Sequence, residues 1–117
     1  MNAHMLSTRL AQIASFVPEQ ARLADIGSDH AYLPVYLAST GKIDFAIAGE
    51  IAQGPLQAAT SQIKNYGFTH TIIPRLADGL AAIQAEDQID TIIIAGMGGL
   101  FDQKDSDRRT SRRYFDQ

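Results

Sequence analysis

The chain contains no cysteine, which excludes disulfides and thiolate metal centres outright and suits a cytoplasmic protein. Its three histidines, His4, His30 and His70, lack the close spacing of a metal-binding pair, so no metal is expected. Long apolar runs are missing too. Nothing approaches the roughly 18 consecutive apolar residues of a membrane span. Residues 1 to 18 are interrupted by Arg9 and Gln12, and they read as an amphipathic helix closed by Pro18 rather than a signal peptide. Positive charge is scarce where it would matter. Residues 1–101 carry five basic side chains (Arg9, Arg22, Lys42, Lys64 and Arg75) against nine acidic ones. A body this acidic gives no charge argument for binding nucleic acid.

What is present is ordinary globular composition, with 45% hydrophobic and 20% charged residues in a chain of 117, enough for one small domain. Helix and strand patterns alternate. Leu6, Leu10, Ile13, Ala14 and Val17 recur at three and four residues and mark one apolar helix face. Residues 22–27 form a short apolar run closed by Gly27, which predicts a buried strand. A helix is predicted over 32–39, with Pro34 in its first turn and Thr40-Gly41 stopping it. Residues 44–50 predict a second strand. Pro55 opens a further helix, and Gly67 closes it. A third strand over 71–75 contains Pro74, which suits a sheet edge. Residues 79–85 predict a short helix, and 90–95 the clearest strand, bounded by Gly96-Met97-Gly98-Gly99. Strands alternating with helices imply right-handed crossovers and a parallel sheet covered on both faces, an α/β fold.

In such sheets ligands bind beyond the carboxyl ends of the strands. The unusual polar and glycine residues all fall there: Asp25, Gly27, Asp29 and His30 after the first strand, Glu50 after the second, Asp78 and Gly79 after the third, Gly96 and Met97 after the fourth. Gly27 lacks a Cβ and lets the backbone turn close to a ligand. Glu50 follows it by 23 residues, near the spacing of about 20 at which an acid reaches ribose hydroxyls. Asp78 could accept from an adenine amino group, or cap the helix it precedes. Gly96 to Gly99 would leave backbone groups open to a ligand. Gly27 alone reads first as a turn, and Asp29 with His30 as loop or cap residues, whereas the three glycines of Gly96 to Gly99 would destabilise any element and are harder to explain as structure; the set together points to a nucleotide-like ligand. A dinucleotide fingerprint G-x-G-x-x-G is not met, because the letters here are G-S-D-H-A-Y. Asp29 in the second glycine's place would repel a pyrophosphate, which disfavours a NAD-dependent oxidoreductase. An aspartate there tolerates a ligand with a cationic centre or an amino group, and S-adenosylmethionine has both.

The segments LADIGSDHAYLP (23–34), KIDFAIAGE (42–50), GPLQAA (54–59), RLADGL (75–80) and AGMGG (95–99) resemble the bacterial TrmK-type methyltransferases, which methylate N1 of adenine 22 in tRNA. The resemblance covers roughly residues 5–99. It implies a Rossmann-like class I methyltransferase domain, of which this chain is the N-terminal half, with strand order 3-2-1-4 and flanking helices. S-adenosyl-L-methionine is the implied cofactor and tRNA the implied partner. Asp25, Gly27 and His30 would line the methionine side of the pocket and Glu50 would hold the ribose. Asp78 and Gly79 would flank the adenine, with Gly96 and Met97 near the methionyl amine. Asp29 is the implied catalytic residue, facing the target adenine.

After residue 101 the pattern breaks. Residues 102–117 carry neither helical nor strand periodicity and match nothing in the family, so they are expected to be a disordered tail behind a partial domain of residues 1–101. Two consequences are expected of a chain truncated there. Its activity would be impaired, leaving a nucleotide-binding module as the alternative to an enzyme. The apolar strand at 91–95 would also be an exposed edge open to self-association.

Overall fold

The computed structural model describes residues 8–28, 30–94 and 113–116. Within them the chain forms α1 (Thr8–Phe16), β1 (Ala21–Ile26), α2 (Tyr32–Ser39), β2 (Ile43–Glu50), α3 (Gln53–Asn65), β3 (Ile72–Leu76), β4 (Thr91–Ile94) and β5 (Arg113–Asp116). Two short 3₁₀ turns, Gly79–Ala82 and Ala85–Asp87, stand where one short helix was expected. The described strands make one sheet in the order β3-β2-β1-β4-β5, and every neighbouring pair is parallel.

Local chemistry accounts for most boundaries. Pro34 lies in the first turn of α2, where its missing N–H costs no helix bond. Gly41, at φ 76°, ends that segment in a left-handed turn that donates to the Ala38 carbonyl. Gly67, at φ 80°, does the same after α3. Pro74 sits on β3, which pairs with β2 alone and so lies at the sheet's edge.

Strand alternation divides the core between two faces. Leu23, Ala46, Ala48, Ile72 and Ile93 pack with residues of all three helices, among them Ala14, Leu33, Val35, Leu37, Ala59 and Ile63, and with Val17 just past α1. Ala24, Ile26, Ile47, Ile92 and Ile94 point the other way and pack with Ala82 and Ile89 of the β3–β4 connection. Helices thus cover one face. Among the described residues the second is covered by that connection.

A polar network holds the connection down. Arg75 on β3 donates to the Ala82 carbonyl at 2.7 Å and to Asp87 Oδ2 at 2.6 Å. Asp87 Oδ2 also accepts from the Gln84 N–H at 2.7 Å. From the start of β1, Arg22 Nε donates to the Asp87 carbonyl at 2.9 Å, and its guanidinium lies 4.2 Å from the centre of the Phe45 ring. Asp90 closes the far end, accepting from the Arg22 N–H and the Thr91 hydroxyl.

Two expectations need correction. Of residues 102–117, expected to be disordered, 113–116 form β5, parallel to β4, with Ile92 opposite Tyr114 and Ile93 opposite Phe115, and the others lie outside the described residues. Strand β4 is therefore paired on both sides and is not the exposed edge. The buried residues of β4 offer an outer row of N–H and C=O groups that must be satisfied. Tyr114 and Phe115 are strand-favouring residue types, and residues 95–112 exceed the dozen or so that a parallel connection needs.

Burial pushes the Asp87 pKa up, but hydrogen bonds from Arg75 and the Gln84 N–H, with the charges of Arg75 and Arg22, outweigh it and hold it below its ordinary 3.8. The stability this confers is complete above the unfolded value and is lost as pH falls through the lowered folded one. Asp87→Asn should therefore cost about 2 kcal/mol at pH 7, with the deficit shrinking below pH ~4; urea unfolding at both pH values checks this. Removing residues 113–117 should uncover the β4 edge and promote self-association, seen as faster sedimentation. Unchanged sedimentation would contradict the pairing.

Candidate functional site

Parallel pairing brings the strand ends to one edge in register. Ile26 of β1 lies opposite Gly49 of β2 and Ile94 of β4, and Glu50 lies opposite Leu76 of β3. At about 4.8 Å per strand, the ends of β3, β2, β1 and β4 lie along a row roughly 14 Å long.

Gly49 organises the middle of this row. Its carbonyl accepts from the Gly27 N–H at 2.8 Å and the Ser28 N–H at 3.2 Å. The loop leaving β1 is thereby bent across the end of β2, with Gly27 at φ 73°. Gly49 itself has little room, because an added Cβ would lie 3.1 Å from Ala82 Cβ. The 79–82 turn thus packs directly on this strand end.

Glu50 is buried, with 5% of its surface exposed. Its Oε2 accepts a 2.7 Å hydrogen bond from the buried Ser28 hydroxyl, and its carbonyl accepts from the Ala77 N–H at 2.9 Å. One side-chain bond thus ties the loop after β1 to the end of β2, and one backbone bond ties that end to the segment after β3. The next residue, Ile51, is 70% exposed although it is aliphatic. Leu80, in the 79–82 turn, is exposed as well.

Asp78 is exposed and occupies the position that would cap the 79–82 turn, yet its side chain makes no capping hydrogen bond. The cap role is not used. Gly79 follows at φ 58°, and an added Cβ there would meet nothing within 4 Å. Asp25 is fully buried in β1, on the face that alternation assigns to Leu23.

His30 and Ala31 both adopt left-handed backbone, at φ 66° and 59°. Such a conformation costs about 1–2 kcal/mol for each residue that carries a Cβ. The cost falls in the loop that reaches the site, the usual place for such strain. The exposed His30 ring stacks on Tyr32 with centroids 5.5 Å apart.

The structure thus gathers Gly27, Glu50, Asp78 and Gly79 at one sheet edge, with His30 in the loop above it and Asp25 beneath. Asp29, Gly96 and Met97 lie outside the described residues. Sequence reasoning missed Ser28, whose role needs the buried bond to Glu50, and Ile51, whose signal is an aliphatic residue just past a strand-ending acid. Among the described residues no group of three His, Asp or Glu could hold a metal ion, and no helix is long and apolar enough to cross a membrane.

The comparisons with known proteins agree with this fold. A family profile described as "Methyltransferase domain" matches residues 6–104. The tRNA (adenine(22)-N(1))-methyltransferase of Bacillus subtilis (strain 168) is 48% identical over 99 residues, which are 85% of this chain and 41% of the relative. The structure of Streptococcus pneumoniae Sp1610 in complex with S-adenosyl-L-methionine superposes with a TM-score of 0.78 at 51% identity, over 80% of this chain and 44% of that one. The M. capricolum TrmK structure, in complex with S-adenosyl-homocysteine, gives a TM-score of 0.75 at 40% identity, over 80% and 42%. The chain spans somewhat over two fifths of the length of these relatives. Its strand order, its in-register site edge and a profile match over most of its length agree: the chain belongs to the methyltransferase-domain family, and the relatives it resembles there are TrmK-type enzymes.

Proposed function

We propose that this chain binds S-adenosyl-L-methionine across the ends of β1, β2 and β3 and serves methyl transfer to N1 of an adenine in tRNA. The observation that carries the reading is the buried Glu50 carboxylate, held by Ser28 beside the Gly27 turn. This arrangement suits an adenosine whose ribose hydroxyls are both free. A carboxylate accepts from both ribose hydroxyls and would repel a phosphate in the same place.

The residues fit the cofactor along its length. Gly27 allows close backbone approach to the tail. Glu50 accepts from the ribose, while Ile51 and Leu80 offer aliphatic surface to the adenine ring. Asp78, whose side chain is not used as a cap, accepts from the adenine amino group. Asp25 and His30 belong to the methionine side, and Gly96 and Met97 complete it near the amine. When bound, S-adenosylmethionine supplies an electrophilic methyl group on a sulfonium. Adenine N1 has a lone pair, so its attack needs no prior deprotonation. Methylation leaves the base cationic, and Asp29 would stabilise that charge as it develops. Most of the rate comes from aligning nitrogen, methyl carbon and sulfur. An N1 held in a base pair must first be extruded.

The tRNA contacts are the part these residues supply least. The five basic side chains of residues 1–101 leave few to neutralise phosphates. That observation supports a second reading, a nucleotide-binding module whose catalysis depends on sequence found elsewhere in the longer relatives. Location in the cytoplasm, where tRNA is available, fits both readings. Self-association, if it occurs through a sheet edge, would use β3 or β5.

Calorimetric titration tests the cofactor site: S-adenosylhomocysteine should bind and NAD should not. Glu50→Ala should weaken the S-adenosylhomocysteine affinity at least tenfold, about the loss expected for charge-assisted bonds to two hydroxyls. Binding of NAD with no binding of S-adenosylhomocysteine would overturn the assignment. For catalysis, labelled methyl transfer to unmodified tRNA should be weak with this chain alone. In a full-length relative, replacement of the aspartate matching Asp29 by asparagine should lower kcat about 10²-fold with the cofactor KM little changed. An unaltered kcat would remove Asp29 from the mechanism.

A further inference from the structure

The bond between Ser28 and Glu50 has a consequence for ligand affinity. Glutamate has three rotatable side-chain torsions, and at a strand end it can point its carboxylate along several directions. Only some of these face a ribose diol. Ser28 removes that freedom. Its backbone N–H is anchored to the Gly49 carbonyl at 3.2 Å, so its hydroxyl is delivered from a fixed point to Glu50 Oε2, 2.7 Å away. Both side chains are buried, with relative exposures of 5%. A hydroxyl bonded to a carboxylate in such a place is short, directional and stronger than a neutral pair.

We propose that Ser28 is a positioning residue for the nucleoside: it acts through Glu50, pre-orienting the carboxylate that receives the ribose hydroxyls. The inference rests on the reading of Glu50 as the ribose acceptor and adds the residue that tunes it. Ser28 touches the carboxylate, and the carboxylate touches the ligand. Because the same loop carries Gly27 and His30, the bond also couples the ribose end of the site to its methionine end. The orientation is fixed before the ligand arrives, so the ordering cost falls in folding rather than in binding.

The test is a double-mutant cycle read by calorimetric titration of the whole chain with S-adenosylhomocysteine. Wild type, Ser28→Ala, Glu50→Ala and the double variant are compared, with Ser28→Thr as the conservative replacement and thermal melts run without ligand. Ser28→Ala should weaken binding about tenfold, the effect of one charge-assisted hydrogen bond. Ser28→Thr should recover most of that loss. In the Glu50→Ala background, removing the Ser28 hydroxyl should change affinity by less than about twofold, since its route to the ligand is gone. Equal losses in both backgrounds would overturn the proposal, because Ser28 would then act independently of Glu50. So would a Ser28→Ala variant that melts like wild type and binds as tightly. If the wild-type chain itself failed to bind S-adenosylhomocysteine, the ribose assignment of Glu50 would fall, and the role of Ser28 with it. Binding by wild type with no coupling removes the role of Ser28 alone.

Discussion

The parallel pairing of β1 with β2 is the constraint on which the rest depends. Its last bonds are made by the Gly49 carbonyl, which receives both the Gly27 and the Ser28 N–H. Parallel strands in register must send their chains out over the same edge. Glycine at 49 lets the 79–82 turn pack against that strand end, and glycine at 27 permits the bend that carries the loop back across it. The site is therefore a product of the sheet, and Glu50 is held at the strand end by backbone and Ser28 hydrogen bonds before any ligand is involved.

A second set of forces keeps the outer part of the site in place. The segment carrying Asp78 and Gly79 is short, irregular and has few large buried side chains. What fixes it lies further along: Arg75 of β3 holds Ala82 and Asp87, and Arg22 of β1 holds Asp87 as well. A network of this kind is costly when half satisfied, and here Asp87 accepts from both a guanidinium and a backbone N–H.

Much of the fold was legible from local patterns. The bounds of α2 follow from Pro34 and Gly41, and the central strands follow from short apolar runs closed by a glycine or an acid. The convergence of Gly27, Glu50, Asp78 and Gly79 was readable because strand ends in a parallel sheet share an edge. Other features were not readable, for a common reason. Arg22 meets Asp87 across 65 residues and Ser28 meets Glu50 across 22, so neither pairing leaves a local signature. Strand β5 was hidden by the charge around it, since Arg113 to Asp116 offers only two strand-favouring residues and depends on an available β4 edge. Asp78 looked like a cap because its sequence neighbours suit one; its side chain makes no such bond.

The central claim is that one adenosyl ligand spans the loops after successive strands. It is tested most directly by following backbone amide resonances of the ¹⁵N-labelled chain during addition of S-adenosylhomocysteine. The account predicts that the largest shifts fall together on Gly27, Ser28, Glu50, Ile51, Asp78 and Gly79, while α1 and the amino ends of the strands stay still. Shifts concentrated at the opposite edge of the sheet, or scattered without regard to it, would contradict the account.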